Sequence, residues 1–251
     1  MIKYFSVNTS GHSIRCKLYS NAPRNFKTVV LFGHGFGGHK DNKAAQRFAE
    51  TVLSKYKSVA VLTFDWPCHG DDVKKKLTLS DCDSYITLVT DYVKTQLGTE
   101  DLCVYATSFG GYLFLKYIHE HGNPFRRIAL RCPAVNMYEA LTRRVLTPAE
   151  EERLARGKDV AAGFDRKVSI SKTFLDELHQ ADIRKLDYLD YAEDILIVQG
   201  TKDEVVSFDA VRDFADNNLI EFVPVENADH RFQDYALMGA AIKRIIEFLE
   251  L

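Results

Sequence analysis

The sequence predicts an α/β fold: a mostly parallel sheet with helices on both faces. Short apolar runs alternate with longer amphipathic ones along nearly the whole chain, the rhythm of strand–helix–strand units. Several short runs, "TVVLFG" above all, are apolar without a break, as strands covered on both faces must be. At 251 residues, 46% of them hydrophobic and 27% charged, the chain can bury a sizeable core without staples.

In chain order, "KYFSV" and "SIRCKLY" flank the turn-forming "NTSGH" and read as an antiparallel strand pair. "TVVLFG", Thr28 to Gly33, follows as a buried strand. "NKAAQRFAETVLSKY" carries Ala44, Ala45, Phe48, Val52 and Leu53 at helical spacing. "SVAVLTFD" is a buried strand, and "SDCDSYITLVTDYVKTQL" a helix with Ser80 or Asp81 as its N-cap. "LCVYAT", "GGYLFLKYIHEHG" and "RIALRCP" read as strand, helix and strand. The rhythm then breaks. Residues 135–190 are rich in charge and lack a clear strand, with short helices in "TPAEEERLARGK" and "SKTFLDELHQAD". It resumes with strand "DILIVQG", helix "FDAVRDFADNN", strand "IEFVPV" and closing helix "ALMGAAIKRIIEFLEL". The expected division is a core of residues 1–134 and 191–251 interrupted by an insertion at 135–190.

The formal net charge of −2 gives no general field for nucleic acid or a membrane surface. The first twenty residues lack a basic stretch followed by an apolar one, so no signal peptide is expected. No apolar run approaches the roughly 18 residues of a membrane span. Cys16, Cys68, Cys82, Cys103 and Cys132 are scattered, odd in number and without a CxxC pair. Reduced thiols in a cytoplasm are the simplest reading, with no metal site and no cofactor expected. Cys68 and Cys132 read as small core residues near a cleft floor. Oligomeric state is left open.

In a parallel α/β sheet, ligands sit beyond the carboxyl ends of the strands. Most polar residues suited to catalysis fall there, in "GHGFGGHKDN", "DWPCHGDD", "TSFGGY", "PAVN", "GTKDEVV" and "ENADHRF". Ser108 lies between strand and helix, with small residues Ala106, Gly110 and Gly111 around it. That is the pattern of a sharp turn that exposes a nucleophilic hydroxyl. Its plainer reading is a helix N-cap. Asp203 follows the next strand but one, with Glu204 as fallback, and His230 follows the last strand; their plain readings are a turn acid and a surface histidine. Order weighs against those readings. Nucleophile, acid and histidine each follow a strand, 95 positions from Ser108 to Asp203 and 27 from there to His230. A serine hydroxyl is a weak nucleophile until a base takes its proton, and that base needs a partner to fix its tautomer. "HGFGG" after the first parallel strand lets Gly35 and Gly37 turn the backbone so that the Phe36 N–H points into the cleft. With the Phe109 N–H it forms the expected oxyanion hole, and His34 is expected to hold the loop by hydrogen bonding. Trp66 is read two ways, as a stacking contact for an aromatic acyl group or as packing under a loop. Lys74 to Lys76 read as a solvated turn, and Thr142 to Arg144, in the insertion, as a surface charge cluster with contact to an anionic substrate as the alternative.

With these residues the chain resembles the α/β-hydrolase fold superfamily of serine hydrolases, on His34 to Gly38, Phe64-Asp65 with His69-Gly70, the Ser108 turn, Asp203 and His230, from about residue 28 to 251. The resemblance implies an eight-stranded, mostly parallel sheet with a cap after the sixth strand, which residues 135–190 resemble. Within the superfamily, "FDWPCHGDD" and the short chain are most similar to bacterial carboxylesterases grouped with cinnamoyl (feruloyl) esterases and monoacylglycerol-lipase-like enzymes. "FDRKVSISKTFLDEL" is similar to the cap end of the cinnamoyl esterases. Ala106 departs from the usual glycine, as does Cys68. The implied activity is hydrolysis of small carboxylic esters, hydroxycinnamoyl or short-acyl. The alternatives are amide or aminopeptidase-like hydrolysis, with Glu150 to Glu152 as amine binders, carbon–carbon bond hydrolysis, or a non-catalytic binding role.

Overall fold

The strands form where β-branched and aromatic residues run together, and the helices where an apolar stripe recurs. The computed structural model of the chain describes residues 1–163 and 166–251. In chain order the elements are β1 (Ile2–Asn8), β2 (Ser13–Ser20), β3 (Thr28–Gly33), α1 (Lys43–Lys55), β4 (Val59–Phe64), α2 (Leu79–Tyr92), β5 (Leu102–Thr107), α3 (Phe109–His121) and β6 (Arg127–Arg131). Then come α4 (Met137–Ala140), α5 (Pro148–Ala155), β7 (Val160–Ala162), β8 (Val168–Ile170), α6 (Lys172–Gln180), β9 (Ile195–Gly200), α7 (Phe208–Asn217), β10 (Glu221–Val225) and α8 (Tyr235–Leu249).

Among the described residues, eight strands form one sheet in the order β1-β2-β4-β3-β5-β6-β9-β10. The β1–β2 and β2–β4 pairs are antiparallel and the rest parallel. Strands β3, β4, β5 and β9 are buried along their full length. Alternate side chains feed two cores. Val30 and Phe32 pack with Phe48 of α1 and Ile245 of α8. Val29 and Leu31 pack with Tyr85 of α2, Phe114 of α3 and Phe214 of α7. Each such fully buried large side chain contributes about 1.5–3 kcal/mol. Pro224 is tolerated because β10 is an edge strand.

Three details differ from the sequence reading. The N-cap of α2 is Thr78, whose hydroxyl accepts from the Asp81 N–H at 3.1 Å, so Ser80 and Asp81 stand inside the first turn. A four-residue helix, α4, opens the stretch after β6. That stretch also holds an antiparallel strand pair, β7 and β8. Each of those strands has three residues, too few for alternation to register in the sequence.

The segment between β6 and β9 is tied to the sheet core at named points. The Tyr112 hydroxyl donates to the Ala181 carbonyl at 2.9 Å, and the Leu79 N–H to Glu177 at 2.9 Å. The Phe174 ring meets Phe109 edge-on. Of "FDRKVSISKTFLDEL", Phe164 and Asp165 lie outside the described residues. All five cysteines are unpaired thiols. Among the described residues no helix is long and apolar enough to cross a membrane.

Candidate active site

The parallel register brings the carboxyl ends of β3, β5, β6 and β9 to one edge, with Gly33 beside Ala106 and Thr107 beside Arg131. At that edge β5 turns sharply into α3 through Ser108. Ser108 has φ 51° and ψ −116°, a strained conformation for a residue with a side chain, costing about 1–3 kcal/mol. The turn is held from both sides. The Ser108 N–H donates to the Arg131 carbonyl at 3.1 Å, and its carbonyl accepts from Tyr112 and Ala134, each at 3.1 Å. Ser108 stands at the N-cap position, yet its side chain caps nothing. The hydroxyl faces His230 instead.

Small neighbours are required by contact. A Cβ on Gly110 would lie 2.5 Å from the Gly33 carbonyl oxygen, and one on Gly111 2.9 Å from Pro133. Ala106 is accommodated from across the strand pair. Its partner is Gly33, where an added Cβ would come within 3.2 Å of the Ala106 methyl. The methyl group departing from the usual glycine therefore occupies space left by a glycine on β3.

Ser108, Asp203 and His230 are brought together. His230 Nε2 is 3.0 Å from the Ser108 hydroxyl and its Nδ1 is 2.8 Å from Asp203 Oδ2. An ionised carboxylate only accepts, so Nδ1 carries the proton and Nε2 accepts from Ser108. The Asp203 side chain is fully buried, and its other partners are the N–H groups of Val205 (2.9 Å) and Val206 (2.8 Å) and the Gln199 amide (2.9 Å). Burial alone would push the Asp203 carboxyl up, but the hydrogen bond and charge of His230 and the Val206 N–H outweigh it. The group lies below the usual carboxylate range. Glu204 accepts from the His230 backbone N–H at 3.3 Å and so braces the loop rather than the ring. The two loops pack backbone to backbone: the Lys202 N–H donates to Ala228 at 2.9 Å, and a Cβ on Gly200 would lie 2.4 Å from the same carbonyl oxygen.

The glycine loop lies against the serine. A Cβ on Gly35 would come within 3.2 Å of the Ser108 Cβ, and Gly37 has φ 73°. Neither the Phe36 nor the Phe109 N–H donates to an acceptor among the described residues. His34 Nδ1 donates to the Gly35 carbonyl at 2.8 Å, and burial drives its pKa well below the usual value. Under the loop lie aromatic rings, His69 stacked on Phe109 and edge-on to Phe36. Trp66 takes the packing reading. It is fully buried and donates from Nε1 to the His34 carbonyl at 2.9 Å, so the stacking contact with an acyl group is corrected to a support for the loop. Nearby, Asp65 is buried and accepts from the Lys40 N–H (2.6 Å), Lys40 Nζ (3.2 Å) and the Asp71 N–H (2.9 Å). Gly70 is needed beside it, since a Cβ there would lie 2.3 Å from the carboxylate.

A cleft of about 770 Å³ opens over Ser108 and His230. Met137, Ala140 and Val145, from the segment after β6, form part of its wall. Glu150 is engaged elsewhere, in a capping box with Thr147 at the start of α5. Among the described residues, ligand atoms of Cys132, Asp203 and His230 lie within 4.8 Å of one another, but Asp203 and His230 are bonded to each other there, and a metal would have to separate them. Burial raises the Cys132 thiol pKa well above its ordinary value, the opposite of what a nucleophile needs. Sequence reasoning missed Gln199, Lys40 and Arg131, all polar residues next to or inside apolar runs. Arg131 also lines the cleft.

No curated protein sequence matches the chain. Solved structures do. Est1E from Butyrivibrio proteoclasticus, with ferulic acid bound, superposes with a TM-score of 0.76 at 18% identity, covering 98% of this chain and 100% of that one. A putative hydrolase from Agrobacterium vitis S4 gives 0.78 at 17%, covering 99% and 98%. The esterase Pf2001 from Pyrococcus furiosus gives 0.71 at 16%, covering 100% and 92%. At these identities the likeness is one of fold. The sequence profile of the alpha/beta hydrolase family matches residues 29–241, nearly the whole span from β3 into α8. The chain belongs to the alpha/beta hydrolase family.

Proposed function

We propose that the chain is a serine hydrolase of carboxylic esters, with Ser108 as nucleophile, His230 as general base and acid, and Asp203 as its orienting carboxylate. The observation that carries this reading is the strained Ser108 whose hydroxyl lies 3.0 Å from an imidazole nitrogen. His230 Nε2 takes the hydroxyl proton as Ser108 Oγ bonds to the acyl carbon. The C–O bond to the alcohol then breaks, and the leaving oxygen takes the proton from Nε2. Water, deprotonated by the same nitrogen, attacks the acyl-enzyme and restores Ser108. The N–H groups of Phe36 and Phe109 receive the developing oxyanion, a donor of this kind supplying about 3 kcal/mol. Residues 135–190 act as a cap, supported by the cleft wall that Met137, Ala140 and Val145 provide. Short-acyl or hydroxycinnamoyl esters are the proposed substrates. A cleft of about 770 Å³ has room for either, and a relative of the same fold binds ferulic acid. Five unpaired thiols favour a reducing compartment such as the cytoplasm.

The test is hydrolysis of p-nitrophenyl acyl esters and methyl ferulate by the chain and by Ser108→Ala. Turnover abolished in the variant is expected, and the acyl preference reports the shape of the cleft. Turnover that survives in Ser108→Ala, or no ester turnover at all, would sink the reading.

A further inference from the structure

We propose that the ester this cleft accepts carries a free carboxylate, and that Arg131 binds it. This rests on the reading of Ser108 as an ester-cleaving nucleophile and narrows its substrate class. Arg131 is the last residue of β6, beside the catalytic turn, and its carbonyl accepts the Ser108 N–H. Its side chain lines the cleft and is only 6% exposed. Guanidinium is always charged, and a buried one normally meets a carboxylate, because leaving the charge uncompensated costs several kcal/mol. Arg131 makes no ion pair with a carboxylate among the described residues. One Nη donates to the Arg231 carbonyl at 3.0 Å, the guanidinium lies 5.1 Å from the Phe232 ring centroid, and the buried Tyr105 hydroxyl, a neutral group, is its other polar neighbour. Asp203 does not serve, since its oxygens are taken by Val205, Val206, Gln199 and His230.

The rest of the cleft wall has the same sign. Lys43 and Arg47 line it, against Asp41 as the one carboxylate among the described lining residues. Asp41 is itself bound by Lys17 and by the Tyr4 hydroxyl, each at 2.8 Å. The chain as a whole carries a net charge of −2, so this positive lining is local. One buried guanidinium balances one negative charge, and its planar fork fits a carboxylate. A ligand carboxylate in the cleft would supply the counter-charge that no described carboxylate gives Arg131.

The carboxylate could belong to the acyl or to the alcohol part, and two pairs of esters separate these. Mono-p-nitrophenyl glutarate is compared with p-nitrophenyl pentanoate, and 4-acetoxybenzoate with its methyl ester. The acid is expected to be the better substrate in at least one pair. In that pair the acid-to-neutral ratio of kcat/KM should fall by about tenfold or more in Arg131→Gln and less in Arg131→Lys. A role confined to holding the His230 loop through the Arg231 carbonyl would lower both esters alike, leave the ratio unmoved and overturn the proposal. So would a wild-type ratio at or below one in both pairs, a result that needs no Arg131 variant to fold. Binding is read without turnover by titrating glutarate and 4-hydroxybenzoate into Ser108→Ala in a calorimeter. Binding that disappears in Ser108→Ala/Arg131→Gln supports the inference even if no ester is cleaved, which would refute only the hydrolase reading. If neither ligand binds Ser108→Ala and no acid ester is preferred, the inference is wrong.

Discussion

Asp203→Asn preserves the size of the side chain and removes its charge. Oδ1 accepts two backbone N–H groups, from Val205 and Val206. The asparagine carbonyl must therefore stay at Oδ1, and the amide NH2 is forced to the Oδ2 position. There it meets His230 Nδ1 and the Gln199 amide. Gln199 can turn over, because its own Oε1 is buried without a partner and becomes an acceptor for the new NH2. Nothing then opposes an amide that donates to His230 Nδ1. The ring must carry its proton on Nε2, so Nε2 donates to the Ser108 hydroxyl instead of accepting from it. The base is lost while the geometry is kept. A wrong tautomer of this kind costs about 10⁴ in kcat, or about 5 kcal/mol of barrier. Two measurements check it: kcat on the best p-nitrophenyl ester, and the ¹⁵N shifts of the His230 ring, which report which nitrogen is protonated. Thermal unfolding controls for misfolding. A variant within tenfold of the parent kcat, or one whose Nδ1 stays protonated, would refute the reasoning. Glu204→Gln is the companion, since the Glu204 carboxylate accepts from the His230 backbone N–H and makes no hydrogen bond to the ring, and it is expected to keep kcat within about fivefold, as for loss of one exposed hydrogen bond.

Gly33→Ala should destabilise the fold by about 1–3 kcal/mol through overpacking, because the new Cβ would lie 2.8 Å from the Phe114 ring and 3.2 Å from the Ala106 methyl. Adding Ala106→Gly should return part of that loss, read as a coupling in denaturant unfolding; strictly additive effects would contradict the shared-space argument. Acid should weaken the protein between about pH 6.5 and pH 4. Burial lowers His69 from 6.5 to about 4, so the unfolded chain binds a proton that the folded one refuses. That stabilising term is full above the unfolded value and falls away as pH drops through 6.5 toward 4, by about 3 kcal/mol at most. In His69→Asn, whose amide can still donate to the Pro67 carbonyl, the slope over that window should become shallower, with buried His34, also held below its usual value, supplying part of what remains. An unchanged slope would remove His69 as its cause.

The centre of the sheet was legible because β3, β4, β5 and β9 are buried on both faces and so show as nearly unbroken apolar runs. Ser108 and Asp203 could be placed because each follows such a run, and His230 because it follows the last strand, the half-exposed edge strand β10. Other features depend on which way a side chain points at a strand end. Arg131 closes "RIALR", and only the three-dimensional register shows it turned into the cleft rather than out to solvent. A charged residue at the carboxyl end of a buried parallel strand was the signal available. Trp66 kept two readings because an indole more often packs under a loop but can also line a cleft. The strands β7 and β8 leave no periodic trace at three residues each. Lys40 and Asp65 lie 25 positions apart, and nothing local announces that they pair.

The Ala106–Gly33 pair changes what a sequence pattern for this turn should test. The steric requirement belongs to a volume between two strands, and either strand can leave it empty. A rule demanding glycine two residues before the serine examines only half of that volume. It would discard chains that place the methyl on β5 and the gap on β3. A two-position rule, summing side-chain bulk at residues 33 and 106, would retain this chain and still reject one with a methyl on both sides.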